Sequence, residues 1–268
     1  MSGVKKLTEK FAELKQRGEK ALVTYVTAGD PNLETTARLV CAMEQAGADV
    51  IELGVPFSDP VADGPVIQRA STRSLQEGTH LKGILEMVRG IREKIQVPLV
   101  LMSYYNPILQ YGLGNFCQDA VRCGVAGLIV PDLPLEEAGP LLHGSREAGL
   151  AYIPLVAPTS PKKRLARIAE SGQGFIYCVT VTGITGTRQN VSSEIARMSG
   201  EIREVTDLPL AAGFGIAAPE QAKAVAPYCD AVVVGSALVK LVENHREDSL
   251  EPVANLTAQL KQALCDCQ

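Results

Sequence analysis

No apolar run in this 268-residue chain reaches the roughly 18 residues that a membrane-spanning helix needs. Nor is there an excess of positive charge. A net charge of −4 argues against a nucleic-acid surface or an anionic membrane partner. The seven cysteines (Cys41, Cys117, Cys123, Cys178, Cys229, Cys265 and Cys267) are odd in number and include no Cys-x-x-Cys pair. They read as small buried hydrophobes in a reducing compartment, not as a disulfide framework. Cys265-Asp266-Cys267 gives too short a bite for zinc, so no metal is expected. The three histidines, His80, His143 and His245, fall in predicted helices or helix caps and receive no catalytic role. The opening residues carry no signal-type apolar core. Val4, Leu7, Phe11 and Leu14 recur at helical spacing, which predicts an amphipathic helix ending near Gly18 and a cytoplasmic protein.

What remains is an ordinary globular composition, 46% hydrophobic, which excludes wholesale disorder. Short apolar runs alternate with amphipathic stretches along the whole chain. Predicted strands are Leu22–Thr27, Val50–Leu53, Pro98–Tyr104, Ala126–Val130, Tyr152–Val156, Phe175–Val179, Leu208–Ala212 and Ala231–Val234. Between and after them lie predicted helices, among them one capped by Asn32 and others over Ile67–Leu75, Leu81–Lys94, Phe116–Cys123, Leu135–Glu147, Pro161–Glu170 and Ser192–Val205. Strands that are apolar throughout belong to a parallel sheet covered on both faces. Eight such units close a barrel, whereas an open doubly wound sheet would carry a Gly-x-Gly-x-x-Gly turn after its first strand. The first turn here is Ala28-Gly29-Asp30. The expected fold is an α/β (β/α)8 TIM barrel with an extra N-terminal helix, one domain over residues 1–268.

The stretch Asp49–Pro65, DVIELGVPFSDPVADGP, breaks the pattern. Glu52 lies inside an apolar strand, where a carboxylate is either neutralised, hydrogen-bonded or used. The stiff loop after it presents Asp59 and Asp63. Paired acids around one pocket and a satisfied core acid with turn-forming aspartates are equal readings of that spacing. In a barrel the chemistry sits at the C-terminal ends of the strands, which selects Glu52, Asp63, Tyr104, Tyr105, Asp132, Tyr177, Thr185, Phe214-Gly215 and Gly235-Ser236. Glycines after strands seven and eight let backbone N–H groups approach an anion, and a helix starting at Ser236 aims its positive end there, so these two loops favour a phosphate. The loop Thr180–Asn190, rich in threonine and glycine, suits a closing lid.

Taken in order, VTAGDP (26–31), ELGVPFSDPVADGPVIQ (52–68), YYNP (104–107), GITG (183–186), GFGI (213–216) and VGSALVK (234–240) resemble the α subunits of tryptophan synthase over essentially the whole chain. The resemblance implies retro-aldol cleavage of indole-3-glycerol phosphate to indole and glyceraldehyde 3-phosphate. It implies that indole passes to a pyridoxal-phosphate β subunit in an α2β2 complex, with no cofactor on this chain. Glu52 and Asp63 match the catalytic acids of that family, Tyr177 and Thr185 the groups beside them. Gly186, Phe214, Gly215, Gly235 and Ser236 match its phosphate-holding positions, and Phe57–Pro60 the loop that faces the β subunit. One departure stands out: Thr180-Val181 replaces a common Ser-Arg ahead of the lid, so the arginine is missing. Two other readings share the fold, a stand-alone indole-releasing lyase and a non-catalytic activating subunit.

Overall fold

The computed structural model describes residues 2–179, 188–213 and 215–266. Its strands are β1 (Ala21–Thr27), β2 (Val50–Gly54), β3 (Leu99–Met102), β4 (Val125–Ile129), β5 (Ala151–Tyr152), β6 (Leu155–Val156), β7 (Ile176–Val179), β8 (Leu210–Gly213) and β9 (Ala231–Val234). All pair in parallel, in the order β5-β4-β3-β2-β1-β9-β8-β7-β6.

β5 and β6 are the two halves of the predicted fifth strand. Pro154, which has no N–H to donate, sits where the ladder would continue. The break is bridged through the backbone: Ile153 N–H donates to Leu128 in β4 at 2.9 Å, and the Pro154 carbonyl accepts from Tyr177 N–H in β7 at 3.0 Å. Eight strand positions therefore close into a (β/α)8 barrel.

Side chains alternate between the inside of the barrel and the helix layer, as a period of two requires. Ala21 and Val23 of β1, Val50, Val100, Ala151, Phe175, Ala211 and Val233 belong to the interior cluster. Leu22, Val26, Ile51 and Leu53 pack outward against the helices. The N-terminal helix, Gly3–Gln16, starts on a Ser2 cap whose side chain accepts from Lys5 N–H. Its Leu7, Phe11 and Leu14 join the interior cluster from below, with the Phe11 ring 5.5 Å from that of Phe175. Burying each of these side chains contributes about 1.5–3 kcal/mol, so the helix is a plug for the N-terminal mouth.

Element boundaries differ from expectation where proline or glycine decides locally. A helix at Tyr105–Tyr111, which is not among the expected elements, places Pro107 in the first turn, where no N–H is needed. Gly112, at φ 91°, ends it, and the next helix is Leu113–Cys123, not Phe116–Cys123. The helix expected from Leu135 begins only at Gly139. Leu81–Lys94 stops at Ile91, Ser192–Val205 runs as Arg188–Arg203, and the strand expected at Leu208–Ala212 is Leu210–Gly213.

Candidate active site

Val50 points into the barrel, so two residues later Glu52 does too, near the C-terminal end of β2. It is 1% exposed, and neither carboxyl oxygen has a hydrogen-bond partner among the described residues. An ionised carboxylate without partners in such a place is costly, and the group responds by keeping its proton. Burial first, and then the charge of Asp63, pushes the Glu52 pKa up to about 8.

Asp63 reaches the same region from the loop. Its N–H closes a turn on the Pro60 carbonyl (3.0 Å), and its own carbonyl accepts from Gln68 Nε2 (2.9 Å). Gly64 and Pro65 then open the helix Pro65–Gln76. Tyr104, at the end of β3, fixes the carboxylate. Its hydroxyl accepts from Ala62 N–H at 2.9 Å and donates to Asp63 Oδ2 at 3.0 Å. The Phe57 ring stacks on Tyr104, centroids 5.1 Å apart, which clamps the loop to β3. Burial raises the Asp63 pKa to about 6 and the Tyr104 hydrogen bond opposes that rise. At neutral pH one acid is protonated and the other ionised, a division of roles that environment alone imposes.

Two phenols flank the pair. Tyr25, 5% exposed, stands directly opposite Glu52 in the parallel register, and its hydroxyl lies 3.5 Å from Thr27 Oγ1. Tyr177 projects from β7, with its ring against Gly213; a Cβ there would come within 2.7 Å of the ring. Burial first, then neighbouring acid charge, holds both phenols protonated well above their ordinary range; Asp63 leads that charge at Tyr25 and Glu52 at Tyr177.

At the rim, Gly235 caps the helix Ser236–His245, and a Cβ on Gly235 would lie 3.4 Å from Tyr25. That helix therefore directs its free N–H groups to the side of the mouth where Tyr25 lines the wall. Gly215 is exposed with φ 62°. A cavity of about 350 Å3 between the strand ends and the helix Lys162–Ser171 reaches Ala62, Met102, Leu133, Tyr152, Ile168 and Val179, and neither acid lines it.

Thus Glu52, Asp63 and Tyr177 come together, and Gly235, which caps the helix Ser236–His245, lies against Tyr25 on the strand next to that of Glu52. Thr185, Gly186 and Phe214, with residues 180–187 of the loop Thr180–Asn190 expected as a lid, lie outside the described residues; Arg188–Asn190 open the helix Arg188–Arg203. Asp132 takes another part, accepting from Tyr105 N–H at 2.9 Å at the start of the helix Tyr105–Tyr111, and Asp59 is exposed. Tyr25 was not among the candidates: inside the run Leu22–Thr27 it is indistinguishable from a core tyrosine.

A family model described as tryptophan synthase alpha chain matches residues 11–265. This chain belongs to that family. It is 52% identical to the tryptophan synthase alpha chain of Geobacter sp. (strain M21) and 53% identical to that of Citrifermentans bemidjiense, each over 97% of both chains. Among solved structures, tryptophan synthase subunit alpha from Legionella pneumophila str. Paris matches with a TM-score of 0.91 at 37% identity, covering 99% of each chain. The chain is accordingly a carbon–carbon lyase of the α reaction, which cleaves indole-3-glycerol phosphate. Among the described residues no helix is long and apolar enough to cross a membrane.

Proposed function

We propose that the α reaction runs here on Glu52 and Asp63, with the whole chain acting as one barrel domain. Cleavage needs the indolenine tautomer of the substrate. Glu52, still protonated at neutral pH, gives its proton to ring C3 while Asp63 takes the ring N–H. The Glu52 carboxylate then removes the proton of the side-chain hydroxyl next to the ring. That oxygen's electron pair forms the aldehyde carbonyl and the carbon–carbon bond breaks. Its electrons return through the ring to nitrogen, which recovers its proton from Asp63. Both acids end as they began. Tyr177 borders Glu52, and Thr185 meets Asp63 when the lid closes.

The glyceryl phosphate is held by backbone N–H groups of Gly186, Phe214, Gly215, Gly235 and Ser236, with the helix N-terminus at Ser236 favouring the anion. The loop Phe57–Pro60 faces a β subunit in an α2β2 complex that receives indole, and the site of action is the cytoplasm. No cofactor of this chain takes part.

The observation that carries this reading is the pair itself, an orphaned buried Glu52 beside an Asp63 held by Tyr104. Indole release from indole-3-glycerol phosphate, measured on the purified chain alone and then with a β subunit, tests it. Glu52→Gln is expected to abolish release while substrate binding stays nearly intact. Wild-type turnover in that variant would remove Glu52 from the mechanism.

A further inference from the structure

Away from the two acids, the C-terminal rim carries an ion-pair network that the reaction does not explain. Asp30, in the loop after β1, is a buried carboxylate, 2% exposed. Arg73 grips it with a fork, Nε to Oδ1 at 2.9 Å and the second nitrogen to Oδ2 at 2.6 Å. The remaining Arg73 nitrogen donates to Glu243 Oε1 at 2.9 Å. Arg69, one turn earlier on the same helix, forms a second fork on Glu243, at 2.7 and 2.9 Å. The two arginines hold the Glu243 carboxyl down at about 2.

Isolated surface ion pairs contribute little, but bidentate and networked ones are the exceptions. This network is both, and its placement matters more than its strength. Arg69 and Arg73 sit on the helix Pro65–Gln76, which starts two residues after Asp63. Glu243 sits on the helix Ser236–His245, whose first residue is at the proposed phosphate position, about 10 Å along the axis from Glu243. Ala70 and Val239 meet between the two helices, against Tyr25. One helix thus carries the acid-bearing loop, the other the anion end, and the network pins them together beyond their apolar contact.

We infer that Glu243, with Arg69 and Arg73, is a positioning group that fixes the distance between the phosphate anchor and Asp63. The inference rests on the phosphate site proposed above. A substrate moored by its phosphate presents the indole to the acids correctly only while that distance is held, and small misplacements of reacting groups are expensive in rate. Asp30 and Arg73 form the buried base of the network, which removal of one partner would disrupt. Glu243 is the arm that can be cut.

The test compares Glu243→Ala with wild type on two substrates, indole-3-glycerol phosphate and indole-3-glycerol, which lacks the phosphate. For the phosphorylated substrate kcat is expected to fall about tenfold with KM little changed, the penalty of misorientation and not of lost binding. For indole-3-glycerol the rate should not change, because no tether transmits the error. Arg69→Ala, which leaves the Arg73 arm on Glu243, should show a smaller loss, and Glu243→Gln should restore part of the rate. Arg69→Ala also serves as the reading if Glu243→Ala does not fold. Equal losses on both substrates, or none on either, would overturn the inference. A wild type that turns over both substrates with equal kcat/KM would instead overturn the phosphate site on which it rests.

Discussion

The hydroxyl of Tyr25 occupies the space that a β-carbon on Gly54 would need. Gly54 ends β2, two residues past Glu52, and its bare Cα lets the Tyr25 ring lie flat across the strand end beside the acid. Gly54→Ala must push the ring away from a packed wall, at a cost of about 1–3 kcal/mol. Urea unfolding of the variant should show a lower midpoint with an unchanged slope, and indole release should fall as well, because the ring also contacts Val239 and Ala70.

The two carboxyls set a pH profile. As pH rises through about 6 Asp63 ionises, and as it rises through about 8 Glu52 loses its proton. A plot of kcat/KM against pH should be a bell with its maximum near pH 7, the limbs belonging to the interacting pair. A rate that keeps rising past pH 9 would contradict Glu52 as the proton donor.

Stability should follow the same acid. Glu52 binds its proton more tightly folded (about 8) than at the ordinary value of 4.5 in the unfolded chain. Folding therefore takes up a proton between those pH values, and the stability linked to it is complete below 4.5 and lost as pH rises through about 8. Glu52→Gln removes that dependence, and denaturation midpoints measured from acid to alkaline pH should fall less steeply than those of the wild type. Above about pH 8 the variant should be the more stable of the two, by an amount on the order of a few kcal/mol.

Tyr104→Phe takes away the hydrogen bond that favours ionised Asp63. The Asp63 pKa should rise, moving the acid limb of the rate profile to higher pH while the alkaline limb stays near its wild-type place. The loop also loses an anchor, since Ala62 N–H gives up its acceptor, so KM for the substrate is expected to increase. An acid limb that does not move would show that Tyr104 has no hold on Asp63.

Gly235→Asp places a negative charge at the start of the helix Ser236–His245. The nearest atoms to a Cβ there are those of Tyr25 at 3.4 Å, an ordinary contact, so the variant should fold. Its KM for indole-3-glycerol phosphate should rise on the order of tenfold, equivalent to about 1.4 kcal/mol of binding. An unchanged KM would argue against the phosphate site.

Much of this was legible in the sequence because its signals are local. A carboxylate in an apolar strand marks Glu52, a proline-stiffened loop marks Asp63, and apolar runs at regular intervals mark the barrel. What stayed hidden depends on pairing between distant segments. Tyr25 matters because the register sets it opposite Glu52, 27 residues on, and nothing within its own strand records that. Tyr104 could be singled out at a strand end, but its bond to Asp63, 41 residues away, could not be read. The Arg73 fork on Asp30 spans 43 residues and joins two helix-and-loop segments whose adjacency only the closed sheet creates. The helix Tyr105–Tyr111 is hidden for the opposite reason: Asn106-Pro107 has the local look of a stop, whereas Pro107 sits in the helix's first turn.

The division of the fifth strand at Pro154 has a mechanical consequence. β5 and β6 each hold their neighbour over only two residues, as few as any pairing in the ring, and only here is the strand itself interrupted. If the wall parts anywhere before global unfolding, it parts at this seam, leaving a C-shaped sheet with two bare edges. Amide deuterium uptake should accordingly reach Ile153 and Tyr177 earlier than Val23 or Ile51, deep in the β1–β2 ladder.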